Sequence, residues 1–107
     1  MKFRKERMES LLREELALMV AQELEFKGMF VTVTRVEATG DLDEARVFIS
    51  VLPAERAEDA LQIARAFERR FHGFLIKKLA IRPIPYFRFV VDHGLERASE
   101  VEKRLLE

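Results

Sequence analysis

The chain has no Cys, no Trp and no Asn, and Gln occurs only at Gln22 and Gln62. Without cysteine there is no disulfide framework, no thiolate-bound metal and no thiol nucleophile. Few thermolabile amides beside 36% charged residues is the bias of heat-adapted proteins, and genome base composition produces the same bias. No apolar run approaches the roughly 20 residues of a membrane span, and the N-terminus lacks the apolar core of a signal peptide. A cytoplasmic location is therefore expected. Glycine (four) and proline (three) are scarce, and no repeat, linker or low-complexity tract is evident. A single domain over 1–107 is expected, with 49% hydrophobic residues to supply its core.

A further absence is local. Between residues 69 and 91 there is no Asp or Glu, yet Arg69, Arg70, Lys77, Lys78, Arg82 and Arg88 fall there. Six of the 19 basic residues are thus concentrated in one band, leaving 13 cations against 19 anions elsewhere. The formal net charge of zero hides an acidic body with one positive stripe, and such a stripe attracts phosphate. A solvated helix face with unpaired Lys and Arg has the same composition.

The spacing of Met8, Leu11, Leu12, Leu16, Met19, Val20 and Leu24 predicts one long amphipathic helix, ended by Gly28. Its leading end carries Lys2, Arg4, Lys5 and Arg7, although a helix N-terminus favours acids. These cations are either a second basic contact or a frayed tail. Phe30 to Glu37 and Ala45 to Leu52 alternate as strands and predict an antiparallel hairpin, with the acidic connection from Ala38 to Glu44 at the surface. Pro53 opens a helix whose stripe of Ala57, Ala60, Leu61, Ala64, Phe67 and Phe71 runs to Gly73. A second, shorter helix is expected from Gly73 towards Arg82-Pro83, then a strand over Tyr86 to Asp92, with Phe87, Phe89 and Val91 on one face. Leu95, Ala98, Val101 and Leu105 suggest a short C-terminal helix. The class is α+β, a three-stranded sheet packed against helices in two layers.

A helix starting near Gly73 would expose backbone N–H groups to an anion flanked by Arg69, Arg70, Lys77 and Lys78. His72 could donate to phosphate, stack on a base or transfer a proton, or be merely structural. No carboxylate neighbours it in sequence, and Ser10, Ser50 and Ser99 sit in no nucleophile motif, so catalysis is not expected. His72 and His93 do not have metal-site spacing, and no metal or cofactor is assigned. Phe3, Phe26, Phe30 and Tyr86 are candidate exposed aromatics for base stacking, although Phe is more often core, and none is assigned to RNA. Asp41, Asp43 and Glu44 lack the remaining ligands of a calcium loop and read as a solvated tip.

Several stretches together resemble the ribosome-binding factor A family of small bacterial proteins. They are Arg4-Lys5-Glu6-Arg7-Met8 leading to Leu16-Ala17, the hairpin segments 31–37 and 41–50, Gly73-Phe74-Leu75-Ile76-Lys77-Lys78-Leu79, and the run from Arg82 to Asp92. The resemblance implies a KH type II-like fold of order α-β-β-α-kink-α-β. In that family an Ala-x-Gly kink replaces the KH Gly-x-x-Gly loop, and the matching residues here are Phe71-His72-Gly73, with Phe71 where Ala is common. It implies a non-enzymatic assembly factor that binds the immature small ribosomal subunit and its ribosomal RNA and assists late rRNA processing and assembly. Release by an assembly GTPase is implied too, and a monomer is expected when free.

The residues assigned to RNA are Arg69, Arg70, His72, Gly73, Lys77, Lys78 and Arg82, with Lys2, Arg4, Lys5 and Arg7. The competing reading is a protein-interaction module that uses acidic faces or the sheet edge.

Overall fold

The computed structural model describes residues 3–94. Helix α1 spans Arg4–Glu23, strands β1 and β2 span Phe30–Ala38 and Glu44–Leu52, and a 3-10 turn covers Ala54–Arg56. Helices α2 (Ala57–Arg65) and α3 (Glu68–Lys78) then lead to strand β3, Tyr86–Val91. The sheet order is β1-β2-β3, with β1 antiparallel and β3 parallel to β2. A parallel neighbour cannot be reached by a hairpin, so α2 and α3 form the crossover.

The period-two pattern fixes which face is core. Ala45, Val47, Ile49 and Val51 of β2 are buried, beside Phe87 and Phe89 of β3. Val33, Val36 and Ala38 continue that face on β1. The step of three from Val33 to Val36 breaks the alternation, and there the ladder has a bulge that leaves Thr34 out of register. Met8, Leu12, Leu16, Met19 and Val20 of α1, Ala60, Leu61 and Ala64 of α2, and Phe71 and Leu75 of α3 complete the core.

Both outer strands have backbone groups held by helix side chains. Glu9 accepts the Ala38 amide at 2.7 Å, Glu68 accepts the Phe89 amide at 2.6 Å, and Arg65 Nε donates to the Phe89 carbonyl at 3.3 Å. These contacts block pairing with another strand at those positions.

Four expectations need correction. Helix α1 ends at Glu23, because Leu24 turns to extended backbone; Gly28, at φ +73°, serves the following turn instead. The hairpin connection is not wholly at the surface, since Leu42 buries its side chain in the core even though this costs a left-handed φ of 61°. The long helix breaks at Ala66–Phe67 rather than at Gly73, and α3 ends at Lys78, short of Arg82. The expected helix over Leu95 to Leu105 lies outside the described residues.

Asp92 closes the end of β3. Its Oδ2 accepts from the Thr34 hydroxyl at 2.7 Å, its Oδ1 accepts the Gly94 amide at 2.9 Å, and Arg35 Nε lies 3.7 Å away. The Thr34 hydroxyl above all, then the Gly94 amide, hold the Asp92 carboxyl below its ordinary value, with Arg35 assisting against partial burial. A depressed folded pKa gives stability that is present above the ordinary carboxylate range and lost as pH falls through the lower folded value. Asp92→Asn is therefore expected to cost about 1 kcal/mol at pH 7 in denaturant unfolding. The gap from the parent should close at acid pH; a gap that persisted below the folded pKa would rule this account out. Phe89→Ala, which empties a fully buried site, is expected to cost about 3–5 kcal/mol by the same method.

Candidate nucleic-acid interface

Helix α3 sorts the basic band by its 3.6-residue period. Phe71 and Leu75 point into the core. Arg69, Gly73 and Lys77, spaced by four, form a row on the opposite side. Arg69 and Lys77 are exposed and make no ion pair or side-chain hydrogen bond among the described residues. Arg70, Phe74 and Lys78 form the next row, beside Leu18, Met19 and Gln22 of α1. Lys78 is held there by Glu15 at 2.7 Å, and Arg70 lies 5.7 Å from the Phe67 ring centroid.

Gly73 is mid-helix, so its neighbourhood offers no free helix-start amides, and the expected anion site on such amides is withdrawn. The break lies at 66–67 because the Phe67 amide bonds the Ala64 carbonyl at 3.0 Å, a one-turn tightening, while Phe67 tucks beside Phe71 with ring centroids 5.6 Å apart. Neither Gly nor Pro marks it. The apolar stripe continues across a single tightened turn, which is why the sequence reads as one helix. A Cβ added at Gly73 would meet nothing within 4 Å, so packing does not require this glycine. Its effect is to leave a gap in the ridge between two unpaired cations.

His72 lies between that row and the core, and it lines a cleft with Arg69 and Tyr86. Its Nε2 lies 3.0 Å from the Ile84 carbonyl, which can only accept, so Nε2 carries the proton. The ring stacks on Tyr86 at 4.4 Å and 22° and is tilted against Phe87 at 6.1 Å. Arg82 is occupied at the end of α3, where Nη1 donates to the Ile76 and Leu79 carbonyls at 3.0 and 3.4 Å. Arg4 Nη2 in turn donates to the Arg82 carbonyl at 3.4 Å, which brings the start of α1 to the end of α3. Arg7 borders the same corner with Met8, Leu11 and Ile81, whereas Lys5 points towards the sheet side with Tyr86 and Arg88. Lys2 lies outside the described residues.

The assigned cations thus divide. Among the described residues Arg69, Lys77, Lys5 and Arg7 are unpaired, Arg70 is partly engaged, and Lys78, Arg82 and Arg4 have partners in the fold. On the open face of the sheet, Arg35 and Arg46 share the Glu37 carboxylate at 2.6 and 3.0 Å, and Arg35 also lies 3.9 Å over Phe48. Tyr86 and Arg88 lie outside the residues assigned to RNA, yet both are exposed, and Arg88 is unpaired among the described residues. Strand alternation was the available signal, since burial of Phe87 and Phe89 turns residues 86 and 88 outward. Phe3 and Phe30 are exposed as well, whereas Phe26 packs partly against the core.

The element order and the helices on one sheet face define a small α+β protein of the KH-like class. A family model, that of ribosome-binding factor A, matches residues 4–105. The ribosome-binding factor A of Thermodesulfovibrio yellowstonii is 35% identical over 105 residues, covering 97% of this chain and 89% of that protein. The crystal structure of ribosome-binding factor A from Thermus thermophilus superposes with a TM-score of 0.71 at 26% identity, over 84% of this chain and 97% of that one. A homology model of the Thermus thermophilus protein, as fitted into a cryo-EM map of a 30S complex, gives 0.69 at 27% identity, over 81% and 93%. This chain belongs to the ribosome-binding factor A family.

Two predictions separate cations that hold the fold from those that do not. Arg82→Ala is expected to lower stability by about 1 kcal/mol through the orphaned carbonyls of α3, whereas Arg69→Ala and Lys77→Ala stay within about 0.5 kcal/mol. Gly73→Ala is expected to raise stability by about 0.5–1 kcal/mol, read as a higher Tm. A destabilised Gly73→Ala would mean that the Cβ meets something and that the open row is wrong.

Proposed function

We propose that the protein is a non-enzymatic maturation factor that binds the immature small ribosomal subunit through its ribosomal RNA. The observation that carries this is the Arg69–Gly73–Lys77 row, two unneutralised cations flanking a gap where a phosphate backbone can come close. Family membership and the Thermus relative's fit in a 30S complex support it. Lys5 and Arg7 extend the positive surface at the start of α1. The function is cytoplasmic, the free protein a monomer, and release from the subunit is driven by an assembly GTPase. The rigid two-layer body then occupies a position on the subunit that later contacts need.

Binding through phosphates releases counterions and is steeply salt-dependent. With about five phosphates contacted, affinity for single-stranded RNA is expected to fall roughly a hundredfold between 50 and 200 mM salt. The double substitution Arg69→Ala, Lys77→Ala should make the log–log slope shallower by about 1.4 while leaving Tm in place. A flat salt response with a folded protein would overturn the proposal.

A second reading, a protein-interaction module, draws on Phe30 and Leu52. They are register partners at one end of the sheet and are 79% and 54% exposed. It gains support if subunit proteins bind the chain and free RNA does not compete, and it falls if RNA alone displaces all binding.

A further inference from the structure

We infer that Tyr86 is a stacking platform for one unpaired nucleobase, braced from behind by His72. The inference rests on the RNA-binding reading above and adds a base-contact subsite to a surface otherwise described by phosphate contacts. Tyr86 begins β3 with its side chain outward and is 72% exposed. His72 lies nearly parallel behind it at 4.4 Å and is itself fixed by its bond to the Ile84 carbonyl. One face of the phenol ring is thus covered and its orientation set, which leaves the other face to solvent. An exposed aromatic ring held in place costs little further ordering when a base stacks on it.

The surroundings fit a nucleotide. Tyr86 lines a cavity of about 730 Å³ with Lys5, Glu44, Arg46 and Arg88. Of these, Arg46 is taken by Glu37, and Glu9 in the same cavity is taken by the Ala38 amide. Lys5 and Arg88, unpaired among the described residues, remain as cations for a phosphate. Glu44, the register partner of Tyr86, is an exposed carboxylate whose side chain accepts no hydrogen bond from the described residues. It repels phosphate and accepts from base N–H groups, so the ligand is a base with an unpaired edge rather than a free phosphate. A paired duplex presents neither a ring face nor that edge.

Tyr86 is the only tyrosine and the chain has no tryptophan, so its emission reports on this ring alone. The test titrates the full chain at low salt with a 3′-labelled single-stranded hexaribonucleotide and with the same oligomer made fully abasic. Label anisotropy reports binding, and Tyr86 emission, corrected for base absorption, reports stacking. The expected result is quenching that saturates with the anisotropy change, together with roughly 5- to 150-fold weaker binding by the abasic oligomer and by Tyr86→Ala. Tyr86→Phe, which keeps the ring, should retain most of the affinity, and circular dichroism checks that the variants fold. Normal anisotropy binding with unquenched Tyr86, or undiminished binding by Tyr86→Ala, would overturn the stacking site and leave the phosphate ridge standing. No binding of either oligomer at low salt would overturn the ridge and the stacking site together.

Discussion

The placement of α2 and α3 depends on the parallel pairing of β3 with β2. Phe89 sits opposite Val47 and both side chains are fully buried, so the register cannot slip by one residue without turning apolar groups out to water. Parallel pairing obliges the chain to cross the sheet, and the crossing lays α2 and α3 against it. Glu68 then ties the start of α3 to the Phe89 amide, and Arg65 at the end of α2 ties to the same residue's carbonyl. The helix break and the outer edge of the sheet are therefore one device. Moving the break to Gly73 would carry Glu68 away from the amide it serves.

Once α3 is fixed in this way, its period divides the cations by task. On a flank Lys78 meets Glu15, and beyond the end of the helix Arg82 returns to carbonyls that α3 leaves unbonded. Those opposite the core meet only solvent. An ion pair already made must be broken before a phosphate can replace it, whereas an unpaired surface cation gives up only water and counterions. On the proposed RNA-binding reading, the open row is therefore suited to a polyanion, as are the unpaired Lys5, Arg7 and Arg88. On the uncovered sheet face Arg35 and Arg46 share the single carboxylate of Glu37, whereas Arg88 is unpaired among the described residues.

Legibility in the sequence varies from element to element. The stripe of α1 and the alternation of β2 and β3 were readable because each buries one face against one partner, and burial imposes a simple period. The bulge at Thr34 interrupts the plain alternation expected for Phe30 to Glu37, and its trace in the sequence is the three-residue step from Val33 to Val36. The break at 66–67 was not readable, because a single tightened turn changes direction without interrupting the apolar stripe and uses no breaker residue. Gly73 drew attention as a breaker, but a lone glycine is compatible with a helix interior at a cost of about 1 kcal/mol. The sequence leaves His72 open as ligand, acid or structure; its contacts with the Ile84 carbonyl and the Tyr86 ring, twelve and fourteen residues away, are visible only in the fold.

From the sequence alone come the α+β class, the hairpin, the long first helix, the acid-free band and the resemblance to ribosome-binding factor A. All of these follow from composition, local period or residue order, which the chain carries without folding. Tertiary structure decided which cations are free, where the crossover bends and which aromatic ring faces solvent. Those outcomes depend on pairs such as Lys78 with Glu15, Glu68 with Phe89 and His72 with Tyr86. Each pair is distant in sequence and becomes adjacent only when burial of the core has fixed the register of β3 and the rotation of α3.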